Sequence, residues 1–487
     1  MLLAAVDLGS NSFRLEIGRV EGSHILTQGY WKETVRLAAG LDEEQRLTRK
    51  AMDTALDTLA RMNERLRGLP ASQVRAVGTQ TLRVAGNAAD FLRRAEKVLG
   101  YPIEVIAGRE EARLVFEGCA HTLPLSTARR LVVDIGGAST ELIVGRGFEA
   151  ERAESFKVGC VNTSVRFFQD GIIDRASLKK AQVAVAAELE EAVELFSRRH
   201  WDEAYGSSGT AGAVSDILRA QGWSDGVITA EALLRLRHAL LEAGEIRRIK
   251  LAGLKAERQE VIAGGVAVLS AVFDVLGVQE MRPARGALRV GVLYDLLGRR
   301  EHRDVRSMAV ERMQARFGVD AAQARAVAVI ATQLHEALDP EADADARHRL
   351  DWAAALHEVG FAVSHGDYHK HGAYLVRHSD MAGFSTHEQE RVALLVLGQR
   401  GNLRKLGDAL AEPTRLAKIL ALRLAVILMH ARRPVRLPEW SLRAREGRIE
   451  FALDGAWLSR HPLTQHLLEE EAATWQRAGV DLRLVAR

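Results

Sequence analysis

The sequence predicts an α/β protein followed by a mainly helical domain, and three observations carry that prediction. First, a short segment recurs: Val6-Asp7-Leu8-Gly9-Ser10-Asn11-Ser12-Phe13-Arg14-Leu15-Glu16-Ile17-Gly18 aligns without gaps on Val133-Asp134-Ile135-Gly136-Gly137-Ala138-Ser139-Thr140-Glu141-Leu142-Ile143-Val144-Gly145. Second, strand-like and helix-like segments alternate around both copies, the pattern of helices laid on sheets. Third, strand signals nearly vanish beyond Gly298-Arg299-Arg300-Glu301-His302-Arg303, and twelve of the sixteen histidines lie at or after His302.

Each copy of the repeat reads as a buried strand, a tight turn and a second strand. Asp, Gly and Ser sit at the tip. Glycine there lets backbone N–H groups converge into a concave nest suited to phosphate oxygens. Serine adds a hydroxyl, and aspartate at a strand end can hold a metal, usually through water. One Asp-x-Gly turn is merely a turn; two near-copies can face each other across a cleft and grip a phosphate chain.

Between and after the copies, Ser72–Val77 and Ile103–Ile106 are strand-like, while Lys50–Arg67, Ala88–Leu99 and Ala181–Arg199 have helical apolar spacing. Tyr205-Gly206-Ser207-Ser208-Gly209-Thr210 reads as a third small-residue loop opening a helix at about Ala211, and a helix start behind such a loop is an anion site. Helical patterns run from Val305 to about Leu437. Arg448–Leu453 and Val480–Val485 are strand-like endings.

Composition bounds the function. The chain is 47% hydrophobic and 27% charged, which is globular, and its 487 residues suggest about two to four domains. A formal net charge of only +3 gives no global argument for nucleic acid. Cys119 and Cys160 make no disulfide framework and read as buried thiols of a reducing cytosol. The N-terminal segment meets Asp7 too early for a signal peptide, and Ile419–Met429 carries Arg423 and is too short to span a bilayer. A cytoplasmic protein without an integral membrane segment is expected.

Two further segments carry chemistry. In Arg109-Glu110-Glu111-Ala112-Arg113-Leu114, acids near a helix start suit the dipole, and one glutamate leaning over the cleft could activate water for in-line attack on phosphorus. In Gly78-Thr79-Gln80-Thr81-Leu82-Arg83, the arginine fork matches phosphate oxygens. His357-Glu358, His365, His369, His371 and His378 suggest metal ligation, with His365 and His369 spaced for one helical face, although Gly366 weakens that helix. Satisfied interior or surface histidines are the plainer reading. Arg423, Arg432, Arg433, Arg436, Arg443, Arg445 and Arg448 form a basic stretch that is either a solvated face or a landing strip for a polyanion.

These segments, with Ser208-Gly209-Thr210, Gly286-Ala287-Leu288-Arg289-Val290-Gly291-Val292-Leu293-Tyr294, Leu356-His357-Glu358-Val359-Gly360 and His371-Gly372-Ala373-Tyr374-Leu375, resemble the exopolyphosphatase / guanosine pentaphosphate phosphohydrolase (Ppx/GppA) family of the actin-like ATPase superfamily, over essentially the whole chain. The resemblance implies two actin-like (ribonuclease H-like) domains, 1–125 and 126–302, around a cleft, and a mainly α-helical HD-like domain over 303–487. It implies Glu111 as catalytic base and Arg83 as a phosphate ligand. Asn11, Ser12, Gly136, Gly137, Ser139, Ser208, Gly209 and Thr210 would line the substrate phosphates. Asp134, Glu141 and Asp7 would serve Mg2+, and a monovalent cation such as K+ is a further candidate cofactor. His357-Glu358 departs from the His-Asp pair of metal phosphohydrolases, which argues against a second metal centre. Ala138 stands where many exopolyphosphatases have a third glycine, and alanine there also occurs among guanosine pentaphosphate phosphohydrolases. The main expectation is an exopolyphosphatase releasing orthophosphate from inorganic polyphosphate, as a homodimer. The alternatives are a guanosine pentaphosphate 5′-phosphohydrolase and, in another class, a catalytically weak polyphosphate- or nucleotide-binding regulator. A sugar kinase would need an acceptor-sugar pocket, for which no motif is present.

Overall fold

The repeated segment folds as two hairpins, each the centre of its own sheet, in a computed structural model that describes residues 1–300, 304–433, 437–445 and 447–487. The first comprises β1 (Leu2–Leu8) and β2 (Ser12–Glu21), with Asp7 opposite Arg14. β3 (His24–Thr34), β4 (Val74–Gly78) and β5 (Ile103–Val105) complete a sheet of order β3-β2-β1-β4-β5. The second hairpin joins β6 (Arg129–Ile135) to β7 (Thr140–Arg146), with Asp134 opposite Glu141. β8 (Glu149–Phe156), β9 (Glu203–Ser207), β10 (Ile228–Thr229) and β11 (Glu280–Pro283) extend it to β10-β11-β9-β6-β7-β8. Apart from the short edge strand β10, the second order is the first one repeated. The sequence duplication is therefore a duplication of fold, and it is actin-like.

Helices cover these sheets. In the first half they are α1 (Arg49–Leu66), α2 (Gln80–Val84), α3 (Ala88–Leu99) and α4 (Gly108–Ala120). In the second they are α5 (Cys160–Phe167), α6 (Arg175–Glu188), α7 (Ala192–Phe196), α8 (Ser208–Ala220), α9 (Ala230–Ala243), α10 (Ile262–Leu276) and α11 (Leu288–Arg300). Local chemistry sets their ends. Thr48 caps α1 through Ala51 N–H, and α3 stops at Gly100 with φ 79°. The single helix expected over Ala181–Arg199 is instead α6, a break and α7: Glu188, Glu190 and Glu191 crowd the end of α6, where the dipole disfavours negative charge. The helix expected from Ala211 begins at Ser208, because Tyr205–Ser207 is the end of β9 rather than loop. Ala256–Leu276 is long and apolar enough to cross a bilayer by length and composition alone, yet 72% of its apolar window is buried inside the protein. Both cysteines are buried and free.

α4 follows the first sheet in the chain but lies against β7 and β8 of the second, whereas α11 lies against β1 of the first. The two helices meet where a Cβ on Gly118 would enter the carbonyl oxygen of Ala287 and one on Gly291 would enter that of Leu114. Glycine is required for this close crossing. Around it Leu3, Val77, Phe116, Val132, Ile143 and Val292 form a core shared by both sheets.

The chain divides into two compact units, Met1–Asp304 and Val305–Arg487. The domain limit expected at 302/303 lies outside the described residues. The second unit is a helical assembly of α12 (Val305–Phe317), α13 (Ala321–Leu338), α14 (Ala344–Ala355), α15 (Tyr368–His378), α16 (Thr386–Gly398), α17 (Pro413–Leu428), α18 (Gly455–Arg460) and α19 (Pro462–Arg477). A small sheet closes it: β12 (Trp440–Arg445), β13 (Arg448–Leu453) and β14 (Asp481–Ala486). β12 is the strand that the sequence pattern missed.

Candidate active site

The hairpin tips of the first unit face each other. A Cβ built on Gly137 would meet Cβ and N of Asn11 at 3.3 Å, so the second tip rests on the first. Ala138, the departure from a triple glycine, is absent from the positive-φ residues, and its methyl costs the turn nothing. A cavity of about 60 Å3 lies among the tips, room for one phosphoryl-sized group. Of the predicted residues, Asp7, Asn11, Ser12, Glu111, Asp134, Gly136, Gly137, Ser139, Glu141, Ser208 and Gly209 line it.

Arg83 and Thr210 do not. Arg83 stands behind Glu111: Nη1 donates to Glu111 Oε2 at 2.8 Å and to the Ile106 carbonyl at 2.9 Å, and Nη2 to Gln80 Oε1 at 2.8 Å. In this arrangement its fork holds the proposed base rather than a phosphate. The Thr210 hydroxyl is buried and donates to the Ile135 carbonyl at 3.3 Å, tying α8 to β6. Ser208 takes φ 61°, a left-handed backbone costly for a residue with a Cβ. That turn brings the start of α8 against the cavity, where its free N–H groups favour an anion.

Two arginines escaped the sequence analysis. Arg14 sits in the repeat, at the position where the second copy has Glu141, and the mismatch was the available signal. Arg258 lies in the 3-10 turn Ala256–Val261 with no motif around it. It lines the cavity and covers Gly209 so closely that a Cβ there would fall on its guanidinium. Among the described residues its side chain is in no ion pair, although Glu257 beside it feels its charge, which leaves the fork for a ligand.

The electrostatics of the tips differ. Asp7 is met by Arg14 at 3.4 Å and by Arg289 at 3.8 Å, and Arg289 also donates to Glu16 at 3.2 Å. Asp134 Oδ1 is buried with no hydrogen-bond partner, as is the Ser12 hydroxyl. Burial pushes Asp134 up to about 6, opposed by a hydrogen bond with Ser208 and the charge of Arg14. Burial, then the charges of Glu111 and Asp134, push Glu141 well above the usual carboxylate range, although Ser155 donates to it at 2.8 Å. Burial raises Glu111 as well; Arg83 opposes this, and Asp134 and Asp7 add to it.

Behind Glu111 lies a charged hub. Asp295 of α11 accepts from Arg75 at 2.7 Å, Arg113 at 2.5 Å and Arg299 at 2.9 Å. Burial pushes this carboxyl up, yet Arg75, Arg299 and Arg113 together hold it well below the usual range. Arg113 also grips Glu110 and Glu117 at 2.8 Å, which fixes the first turn of α4 and with it Glu111. Removing one partner from such a buried network costs about 3–5 kcal/mol.

In the second unit, His357 Nδ1 lies 2.7 Å from the Ala354 carbonyl, and Glu358 accepts from Arg432 at 3.0 Å. His365 lies in the turn before α15 and His369 within it, so the two rings do not share a helical face. Among the described residues no three His, Cys, Asp or Glu side chains form a metal-ligating group, at the histidines or at Asp7, Asp134 and Glu141. The arginine stretch is not one surface. Arg423 is buried with Glu471 at 2.7 Å, Arg432 holds Glu358, and Arg448 pairs with Asp481 at 3.0 Å. Arg436 lies outside the described residues.

The sequence model of the Ppx/GppA phosphatase family matches residues 17–300, and that of Ppx/GppA phosphatase domain III matches residues 305–472. A guanosine-5′-triphosphate,3′-diphosphate pyrophosphatase of Vibrio cholerae serotype O1 is 38% identical over 476 residues, 97% of this chain and 95% of that one. Among solved structures, an exopolyphosphatase from Cytophaga hutchinsonii is 25% identical with a TM-score of 0.55, covering 61% of this chain and 98% of its own. A PPX-GPPA enzyme of Aquifex aeolicus, 23% identical with a TM-score of 0.51, covers 60% and 99% and shares the fold.

Proposed function

The chain belongs to the Ppx/GppA phosphatase family, hydrolases of phosphoric anhydrides, and on that premise we propose that it removes the 5′-terminal phosphate of guanosine pentaphosphate. The observation that carries this choice is the 38% identity, over 97% of the chain, to a relative named for that nucleotide. The likeness to an exopolyphosphatase is lower and covers 61% of the chain, so inorganic polyphosphate is the second substrate rather than the first.

The terminal phosphoryl group enters between the tips, where Ser12, Asn11, Gly136, Gly137 and Ser139 surround it. Arg258 and the start of α8 neutralise its oxygens, and Arg14 adds positive potential. Glu111 takes a proton from the attacking water as its oxygen bonds the terminal phosphorus and the bond from that phosphorus to the bridging oxygen breaks, releasing orthophosphate and the nucleotide shortened by one phosphate. Arg83 keeps the Glu111 carboxylate oriented, and burial keeps its proton affinity high enough for the task. The unpartnered buried Asp134 oxygen, with Glu141 beside it, fits a hard divalent cation held by one or two carboxylates and the substrate phosphates. Mg2+ there would stabilise charge on the phosphate oxygens.

The test measures orthophosphate release from guanosine pentaphosphate and from long-chain polyphosphate, side by side, at equal terminal-phosphate concentration with magnesium. A higher kcat/KM on the nucleotide supports the proposal. A large preference for polyphosphate overturns the substrate and leaves the hydrolase.

A further inference from the structure

The second unit contains a cavity of about 500 Å3, bounded by the end of α13, the starts of α14 and α17, and one face of α16. That is the size of a small-molecule site. Its deepest charged group is Lys418, one turn into α17 and only 8% exposed. Among the described residues Lys418 makes neither a hydrogen bond nor an ion pair. Its stem is buried while its ammonium, in the cavity lining and without an acceptor, is open to a ligand that would complete it.

The surroundings say which ligand. Arg349 and Arg391 line the same cavity. Arg349 reaches Asp343 only at 3.8 Å, and Arg391 has no carboxylate partner among the described residues. Burial lowers the proton affinity of Lys418, and Arg349 is the next cause; Arg391 is lowered in the same order by the same two. The cations therefore repel one another across the cavity.

Two of the four acids of the lining, Glu412 and Asp343, are engaged by hydrogen bonds. Glu412 accepts from Arg415 at 2.6 Å and from Thr414 at 2.9 Å. Asp343 caps α14 through Ala346 N–H at 2.5 Å, and Asp339 lies 3.8 Å from His335. Glu341 lines the cavity as well. The start of α17 has Pro413 in its first turn and no side-chain cap, so its dipole adds positive potential on the same side.

We propose that this cavity binds a small phosphate-class anion, with Lys418 at the floor and Arg349 and Arg391 on the walls. With Arg415 paired to Glu412, the three remaining cations suit an occupant with two charges, and the arginine forks suit phosphoryl oxygens better than a halide or a monocarboxylate. Asp339, Glu341 and Asp343 share the lining and would repel a long polyanion, so the occupant is short: free orthophosphate or pyrophosphate, or the phosphate end of a nucleotide. The site is separate from the hairpin tips and does not depend on which substrate they hydrolyse.

The experiment uses the full chain with inorganic phosphate, pyrophosphate and GDP as probes. Lys418 is labelled with an amine-acylating reagent and quantified by mass spectrometry, in the wild type and in Arg258→Ala, which weakens phosphate binding at the tips. At least one probe is expected to slow Lys418 labelling about tenfold in both proteins, the loss of a charge-assisted contact. Arg391→Gln, at an exposed position that folding tolerates, should shift the protecting concentration up by about tenfold. Stronger protection by GDP assigns a nucleotide; equal or stronger protection by pyrophosphate or phosphate assigns the free anion. No protection by any probe, or protection unchanged in Arg391→Gln, overturns the site. Calorimetry of Lys418→Met with the protecting probe should lose the binding that survives in Arg258→Ala.

Discussion

Opposite its aspartate the first hairpin has Arg14; opposite its aspartate the second has Glu141. The two segments align without gaps and pair as antiparallel hairpins, and Val, Asp, Gly, Ser and Leu recur along them. Yet Asp7 is neutralised by Arg14 and Arg289, while Asp134 keeps a buried oxygen without a partner next to a second buried acid. The first tip pairs its acid with two cations and keeps the Ser12 hydroxyl buried without a partner. The second gathers two acids whose proton affinity burial raises, and Arg14 and Arg289 reach Asp134 through their charge alone. Among the described residues, a duplicated fold thus supplies one arm whose acid is ion-paired and one arm whose acids are not.

Four measurements test the contrast between the two tips. The largest effect belongs to the base that both tips face: Glu111→Gln should lower kcat by about 10²–10⁴-fold with the far-ultraviolet circular dichroism unchanged. A variant that keeps full turnover removes Glu111 from the mechanism.

The two aspartates come next. Asp134→Asn relieves a buried unpaired carboxylate, so activity should fall at least about tenfold while thermal stability holds or rises by roughly 1 kcal/mol. Asp7→Asn leaves Arg14 and Arg289 short of a partner and should lower stability by about 1–2 kcal/mol. Equal melting shifts for both would erase the distinction between the arms.

Arg258 bridges from the second half to the phosphate loops. Arg258→Ala should raise KM by about 10–100-fold, the loss of a charge-assisted pair. Gly209→Ala pushes the same guanidinium aside and should reproduce a smaller part of that rise. Adding Gly209→Ala to Arg258→Ala should then change little further, and an additive double variant would show that Gly209 acts on its own.

The smallest effect is a shift along the pH axis. Because burial raises Glu111 and only its ionised form takes a proton, the acid limb of kcat/KM should lie above the ordinary glutamate range. Arg83 opposes the rise, so Arg83→Gln should move the limb to higher pH. Asp134 adds to it, so Asp134→Asn should move the limb to lower pH. Unmoved limbs in both variants would assign the titration to another group.

Much of this was legible in the chain. The tips were visible because a strand, a nest and a hydroxyl must follow one another closely, so their chemistry is local in sequence. Glu111 was visible for the same reason, on a helix that starts directly after a strand. Arg258 was not, since its role depends on a 3-10 turn brought onto Gly209 by tertiary folding. Arg83 was assigned to substrate because an arginine after a strand looks like a clamp; which side of Glu111 it occupies is fixed only by the position of the Ile106 carbonyl and Gln80. The break between α6 and α7 was hidden because apolar spacing continues across it while the charge at the helix end does not favour continuation. The arginine stretch misled through proximity in sequence: Arg423 points into a core and Arg448 onto a strand edge, so neighbours in the chain share no surface.

The crossing of α4 and α11 has a mechanical meaning. At Gly118 and Gly291 peptide touches peptide with no side chain between, so the contact has nothing soft to compress. Neither helix can slide along the other without peptide atoms overlapping. α4 rides on the second sheet and carries Glu111; α11 rides on the first and carries Arg289. The joint between the two halves is therefore made of backbone, and any side chain placed at Gly118 or Gly291, however small, should drive the helices apart at an overpacking cost of about 1–3 kcal/mol.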